Sequence, residues 1–220
     1  MKRINTSRYA EFGKYTKREK MVKLLKDYGI RNQSVLNAFL TIPRHCFIPE
    51  SEQEKAYRDQ AVQIGYGQTI SQPYVVALML ENLHLTPGDH VLEIGSGSGY
   101  VLALLSLLVK RVTGIELEKA LVTQSRDMLK KLKIENAEVI NGNGYLGYRS
   151  KAPYNAILLS AAPDALPENL LSQLKPGGKL ILPVGRSQQL LVLYESVNGE
   201  WKGKVITDVQ FVPLRDEKPV

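Results

Sequence analysis

The chain has a single cysteine, Cys46, in 220 residues. That excludes an internal disulfide framework and suits a reducing compartment. Histidine is almost as scarce, and His45, His84 and His90 share no ligand-like spacing with one another or with acids, so no metal site is expected. No apolar run approaches the length that spans a bilayer, and the basic start (Lys2, Arg3) leads into polar residues rather than a signal-peptide core. A cytoplasmic protein with no membrane contact is expected. Repeats and low-complexity segments are also lacking, and composition is silent on oligomeric state.

What is present is ordinary for a globular protein, with 44% hydrophobic and 23% charged residues. The length supports one well-buried core. One domain over residues 1–220 is expected: a helical, basic extension over 1–60, then an α/β core with C-terminal strands over 61–220. The net charge of +7 comes from ten Lys and Arg against three acids within residues 1–31, which leaves the body neutral. This arm reads as a solvated amphipathic helix. A nucleic-acid contact would want aromatic residues set out for base stacking, and only Tyr9, Phe12 and Tyr15 offer any.

The most informative segment is Leu92-Glu93-Ile94-Gly95-Ser96-Gly97-Ser98-Gly99-Tyr100. It closes a short apolar run and opens a helix-like one, so its glycines fall on a strand-to-helix turn where backbone closely approaches a ligand. A dinucleotide fingerprint runs G-x-G-x-x-G around a pyrophosphate. Here the order is G-x-G-x-G, with Glu93 two residues ahead. A carboxylate there would repel a pyrophosphate but suits S-adenosylmethionine, whose methionine amino group needs an acceptor and whose sulfonium is cationic. The backbone of Gly95, Ser96, Gly97 and Gly99 would cradle that cofactor. Glu116, at the end of the next strand, sits where an acid takes a ribose's two hydroxyls.

Periodicity predicts helices over Arg18–Tyr28, stopped by Gly29, and Asn32–Leu40, capped by Asn32. Residues 52–67 read as an irregular loop, and Gln72–Leu83 as a helix with Pro73 in its first turn. Strands at His90–Ile94, Val112–Glu116, Ala137–Asn141, Asn155–Ala161 and Lys179–Pro183 then alternate with helices at Tyr100–Val109, Lys119–Leu132 and Pro167–Leu174. Lys175-Pro176-Gly177-Gly178 reads as a sharp turn. Gln189–Ser196 and Lys204–Leu214 read as strands joined across Asn198-Gly199. The expected fold is α/β, a class I methyltransferase (Rossmann-like), mainly parallel sheet with an antiparallel C-terminal edge, preceded by N-terminal helices. A ligand would lie beyond the carboxyl ends of the strands, beside Glu93–Gly99, Glu116, Asn141–Gly144 and Ser160–Ala162.

Further motifs run along the chain: Ile42-Pro43-Arg44-His45 with Phe47-Ile48-Pro49, Gly67-Gln68-Thr69-Ile70-Ser71, Ala152-Pro153-Tyr154, Pro183-Val184-Gly185 and Phe211-Val212-Pro213-Leu214. With the glycine loop, these resemble the protein-L-isoaspartate (D-aspartate) O-methyltransferases over nearly the whole length. The resemblance implies methyl transfer from S-adenosylmethionine to the free α-carboxylate of isoaspartyl residues in damaged proteins. It places the active-site serine at Ser71, with Thr69, Ile70, Val184 and Gly185 holding the isoaspartyl peptide. It also implies that Asn143 and Gly144 meet the adenine. The family usually has Gly-Asp-Gly where this chain has Gly142-Asn143-Gly144, and a second acid is replaced by Asn155, here expected near the same rim.

Those two replacements and the basic arm keep alternatives open: the same fold with another carboxylate or RNA as acceptor, or a non-catalytic binding homologue. Without the resemblance, a second reading of Ser71 is a cap for the helix at Gln72, a role compatible with the first. His45 and Cys46, adjacent in an expected extended segment, would point apart and form no nucleophile–base pair. Trp201 reads as an edge-strand side chain packing over the core.

Overall fold

A computed structural model of the chain describes Tyr9 and residues 12–216. Lys2, Arg3, Arg8 and Glu11 of the basic arm lie outside the described residues. The first helix, α1 (Tyr15–Asp27), buries Met21, Val22 and Leu25 and ends before Gly29, which takes φ 104°. Lys17, Lys20, Lys23 and Lys26 stay exposed. Arg18 is buried, and its guanidinium donates to the carbonyls of Thr41 (2.8 Å) and Gly13 (3.0 Å). The described arm is therefore a packed helix with a solvated lysine face. Helix α2 (Gln33–Thr41) starts at Asn32, whose side-chain oxygen accepts from the Ser34 and Val35 N–H groups.

The expected loop over 52–67 is corrected by the structure. A 3-10 turn, Glu50–Lys55, leads to a hairpin of β1 (Val62–Gly65) and β2 (Gln68–Ile70). Tyr66 and Gly67 have φ of 54° and 69°, the turn geometry whose twist matches paired strands. Tyrosine seldom adopts that conformation, which hid the hairpin from a reading of turn residues. Helix α3 (Pro73–Leu83) follows. Its start is capped by Asp59 rather than Ser71: the two carboxylate oxygens accept from the Tyr74 N–H and from Gln72 Nε2, both at 2.8 Å.

The main sheet has seven strands in the order β5-β4-β3-β6-β7-β8-β9. Strands β3 (His90–Ile94), β4 (Arg111–Glu116), β5 (Ala137–Asn141), β6 (Tyr154–Leu159) and β7 (Leu174–Val184) pair in parallel. Strands β8 (Gln189–Val197) and β9 (Glu200–Val209) form the antiparallel edge. Their turn, Asn198-Gly199, has φ of 55° and 84°, as its sequence requires. Crossovers run through α4 (Tyr100–Ser106), α5 (Lys119–Lys131) and the short α6 (Glu168–Leu171). The central strands are buried nearly throughout because both faces are covered. Val91 of β3 joins one hydrophobic cluster with α1 to α5, while Leu92 and Ile94 join a second with Tyr154, Ile157 and Leu159. Trp201 packs on that second cluster, as expected.

Of the boundaries that differ from the sequence reading, three reshape the chain around the sheet's edge. Helix α6 is one turn, because the chain enters β7 at Leu174. The Lys175–Gly178 turn lies within β7 as an irregularity, where the register passes from Tyr154↔Leu174 to Ala156↔Lys179. Strand β9 stops at Val209, and residues 210–214 leave the sheet to run beside Ala162. Pro213, which has no N–H to donate, sits at that departure.

Chain order reverses at β3, which has β4 on one side and β6 on the other. The crevice beyond the carboxyl ends of β3, β4 and β6 is where an open α/β sheet binds its ligand.

Candidate active site

A cleft occupies that crevice. Gly95, Gly97, Glu116, Gly142, Gly144 and Ser160 line it from the sheet, Gln68 and Thr69 from the hairpin, and Val212 to Arg215 from the C-terminal segment. The glycine loop is anchored by the Gly95 and Ser96 N–H groups, which both donate to the Ile115 carbonyl (2.8 and 3.1 Å). Gly97 has φ 52°, and a Cβ there would stand 3.3 Å from Ile64 Cδ1 of the hairpin; one at Gly99, φ 84°, would reach 3.0 Å from Ser125 Cβ. The loop is thus squeezed between hairpin and α5, and its backbone faces the cleft.

Glu116 is fixed by that loop. Its Oε2 accepts from the Gly97 N–H at 2.7 Å and its Oε1 from the Glu118 N–H at 2.9 Å. Burial nevertheless raises its pKa. Each carboxylate oxygen keeps a further lone pair, so an immobilised double acceptor for two neighbouring hydroxyls lines the cleft.

Glu93 lies one layer deeper and is 1% exposed. Ser160, which does line the cleft, donates from Oγ to Glu93 Oε1 at 2.7 Å. Oε2 is buried with no partner, as is the nearby loop hydroxyl of Ser96. Desolvation pushes the Glu93 carboxyl up to about 8, helped by the charge of Glu116 and opposed by the Ser160 hydrogen bond. A cation would relieve both the orphaned acceptor and the suppressed ionisation. These features fit the cationic amino-acid end and the ribose of S-adenosylmethionine.

Ser71 follows β2. Its carbonyl, not its hydroxyl, is engaged: Arg44 Nη2 donates to it at 2.9 Å. Arg44 is fully buried, donates from Nε to the Ala56 carbonyl (2.8 Å), and places its guanidinium 5.0 Å from the centre of the Tyr100 ring. Its pKa falls to about 10 through desolvation. Tyr100 is the residue after Gly99, so one cation links the serine segment to the glycine loop. Thr69 lines the cleft, whereas Ile70 is buried and offers only backbone. Val184 ends β7. Gly185, φ 123°, lines an adjoining cavity of about 630 Å³ with Asp164, Arg186 and Phe211.

Asn143 differs from expectation. Its Oδ1 accepts from the Tyr145 N–H (2.9 Å) and its Nδ2 donates to Asp216 (2.7 Å). Asn155 is not on the rim at all. It lies at the opposite end of the sheet, where its Oδ1 accepts from the His90 N–H and from Lys175 Nζ, both at 2.9 Å. That replacement is structural and does not touch the acceptor site. The segment holding His45 and Cys46 is a 3-10 turn rather than an extended run, and it brings Cys46 Sγ to 3.7 Å from His45 Nε2. Burial raises the Cys46 pKa and lowers that of His45 to about 4, the reverse of what a thiolate–imidazolium pair needs. His45 Nδ1 is 2.7 Å from the Tyr57 hydroxyl, a packing contact.

The sequence reading missed Arg44 as a tether, Asp59 as a cap and Asp216 as a rim carboxylate. Each acts on a residue at least thirteen positions away, and no local spacing signals it. Among the described residues, no group of three or more His, Cys, Asp or Glu could hold a metal ion, and no helix is long and apolar enough to cross a membrane.

A glycine turn after β3 and a double-acceptor carboxylate closing β4, on a sheet of this order, are the layout of a class I methyltransferase that uses S-adenosylmethionine. The sequence profile of the protein-L-isoaspartate(D-aspartate) O-methyltransferase family matches residues 16–219. The chain belongs to that family. It is 45% identical over 196 residues to a protein-L-isoaspartate O-methyltransferase of Aliivibrio fischeri, covering 89% of this chain and 94% of that one. Identity to a Herpetosiphon aurantiacus protein of the same name is 46% over 199 residues, covering 90% and 89%. A Plasmodium falciparum member, solved with S-adenosyl-L-homocysteine, superposes with a TM-score of 0.78 at 32% identity, covering 89% of this chain and 97% of that one.

Proposed function

We propose that Ser71, carried by the segment after β2 and tethered by Arg44, positions the free α-carboxylate of an L-isoaspartyl residue for methylation. One observation supports this most directly: Gln68 and Thr69, just ahead of Ser71, share a cleft with Gly95, Gly97 and Glu116. Acceptor and cofactor elements therefore meet at one place.

S-Adenosylmethionine supplies, when bound, an electrophilic methyl group on a sulfonium. Glu116 holds the ribose hydroxyls, the Gly95–Gly99 backbone accommodates the methionine part, and Glu93 with Ser160 supplies negative charge and an acceptor beside its amino group. A carboxylate acceptor is ionised at neutral pH, so the chain needs no general base. Its task is positioning, which alone lowers a barrier by several kcal/mol (up to ~7–11). The Ser71 hydroxyl donates a hydrogen bond that aims the carboxylate, and Thr69 with the backbone of Ile70 lies alongside. Val184 and Gly185, beside the 630 Å³ cavity, hold the rest of the peptide. The backbone amide nitrogen of the following residue then attacks the methyl ester and expels methanol, and hydrolysis of the resulting succinimide returns some normal aspartate. The partners are isoaspartyl-containing proteins, and the scarcity of cysteine suits work in the cytoplasm.

The alternative of another carboxylate or RNA acceptor leaned on Asn143, Asn155 and the basic arm. It loses Asn155, which lies at the far end of the sheet. The deciding experiment is transfer of labelled methyl from S-adenosylmethionine to an isoaspartyl peptide, with its aspartyl twin and Ser71→Ala alongside. Isoaspartyl-selective labelling that falls in the variant is expected. Cofactor binding without labelling would overturn the assignment.

A further inference from the structure

Beyond Glu116 the cleft continues between Leu117, Gly142 and Gly144 on one side and Leu214 with Arg215 on the other. With the ribose at Glu116 and the methionine part toward Gly97, this end receives the adenine. The leucines suit the faces of a base, but its exocyclic amino group needs an acceptor at the edge. Asn143 is badly disposed to serve. Its amide oxygen caps the Tyr145 N–H and its NH₂ points to Asp216, so the bonded side it presents there is a donor. Asp216, joined to Asn143, puts a carboxylate beside this edge.

Its position is not left to a loose tail. The Ala162 N–H donates to the Val212 carbonyl (2.8 Å) and the Leu214 N–H to the Ala162 carbonyl (2.7 Å), which pins the segment to the rim. The Tyr145 hydroxyl reaches the Leu214 carbonyl at 3.4 Å, and Arg215 Nη2 stands 3.9 Å from Glu118 Oε2. Asn143 then grips Asp216 Oδ1 at 2.7 Å. Among the described residues Oδ2 has no hydrogen-bond partner, and a carboxylate has roughly four acceptor positions in all.

We propose that Asp216, held by Asn143, accepts the adenine amino group, so that an acid from the C-terminal segment replaces the one missing from the Gly142-Asn143-Gly144 turn. This rests on the cofactor assignment above. Selectivity for a 6-amino purine over a 6-oxo purine then resides in Asp216, because a carbonyl at that position would face a carboxylate and repel it.

Equilibrium binding of S-adenosylhomocysteine and of its deaminated analogue S-inosylhomocysteine tests this without turnover. The unaltered chain should prefer the adenosyl ligand about tenfold or more, as a charge-assisted hydrogen bond predicts. Asp216→Asn, an exposed change that keeps an oxygen for Asn143 and puts an NH₂ in place of Oδ2, should abolish or reverse the preference, by weakening the adenosyl ligand and relieving the repulsion of the inosyl one. The exchanged pair, Asn143→Asp with Asp216→Asn, should restore it. An unaltered preference in Asp216→Asn, an equal loss for both ligands, or an exchanged pair no more selective for the adenosyl ligand than the single variant would overturn the proposal. An unaltered chain that binds S-adenosylhomocysteine without preferring it also overturns the proposal but leaves the cofactor assignment standing, whereas no binding at all overturns both.

Discussion

Arg44 Nη2 donates to the Ser71 carbonyl at 2.9 Å while the same guanidinium lies 5.0 Å from the centre of the Tyr100 ring. A buried cation thus fixes the distance between the serine segment and the start of α4. A lysine has one donor centre and no planar fork. Arg44→Lys should therefore lower kcat for an isoaspartyl peptide about tenfold or more while S-adenosylhomocysteine affinity shifts little. Arg44→Ala should also cost about 2–4 kcal/mol of stability, because buried carbonyls lose their donors. Steady-state kinetics and denaturant titration check the pair, and an Arg44→Lys enzyme with unchanged kcat would refute the tether.

Ser71 does not cap α3, since Asp59 does. Ser71→Ala should leave stability within about 0.5 kcal/mol. Turnover should fall roughly 10- to 100-fold, the value of one hydrogen bond to a charged group. Asp59→Ala should show the opposite pattern first, a stability loss of about 1 kcal/mol from the missing cap. Thermal melts beside the methyl-transfer assay separate the two, and a Ser71→Ala chain that melts much earlier would return the serine to a structural role.

The Glu93 carboxyl is held up at about 8 against an ordinary 4.5. Between those values the unfolded chain has released the proton and the folded chain retains it. Stability of the cofactor-free protein should therefore fall as pH rises through that window, by at most ~1.4 kcal/mol per pH unit. Glu93→Gln should flatten the dependence of Tm on pH between 5 and 8. S-Adenosylmethionine affinity should rise with pH in the parent and not in the variant, since a cationic ligand favours the ionised carboxylate. Parallel profiles for the two proteins would show that Glu93 is not the group responsible.

Gly97→Ala should weaken cofactor binding about tenfold or more. Its φ of 52° strains any side chain, and the added Cβ meets Ile64 Cδ1 at 3.3 Å. The left-handed conformation alone costs roughly 1–2 kcal/mol. Calorimetric titration with S-adenosylhomocysteine reads the effect, and wild-type affinity would mean that the loop has room to shift.

The sheet was legible because its strands are buried on both faces and read as unbroken apolar runs, and because Asn198-Gly199 is a turn with few alternatives. Glu116 and the glycine loop were legible for a similar reason: their chemistry is packed into short local spacing. The β1–β2 hairpin was not, since Tyr66 in a left-handed turn contradicts ordinary turn preference. Asn155 was misplaced because sequence proximity to the Ala161-Ala162 rim concealed a whole strand between them, with Tyr154–Leu159 carrying the chain from one end of the sheet to the other. Asp216 and Arg44 make contacts across 73 and 27 positions, respectively, beyond the reach of any periodicity.

The departure of residues 210–216 from the sheet separates one wall of the cleft from the elements that hold the fold together. Every strand of the seven-stranded sheet is complete at Val209. The wall contributed by Val212 to Arg215 is instead a segment pinned to Ala162 by two backbone hydrogen bonds. Side chains on it can be exchanged without touching a sheet register, so the grip on the ligand and the integrity of the fold are set by different parts of the sequence.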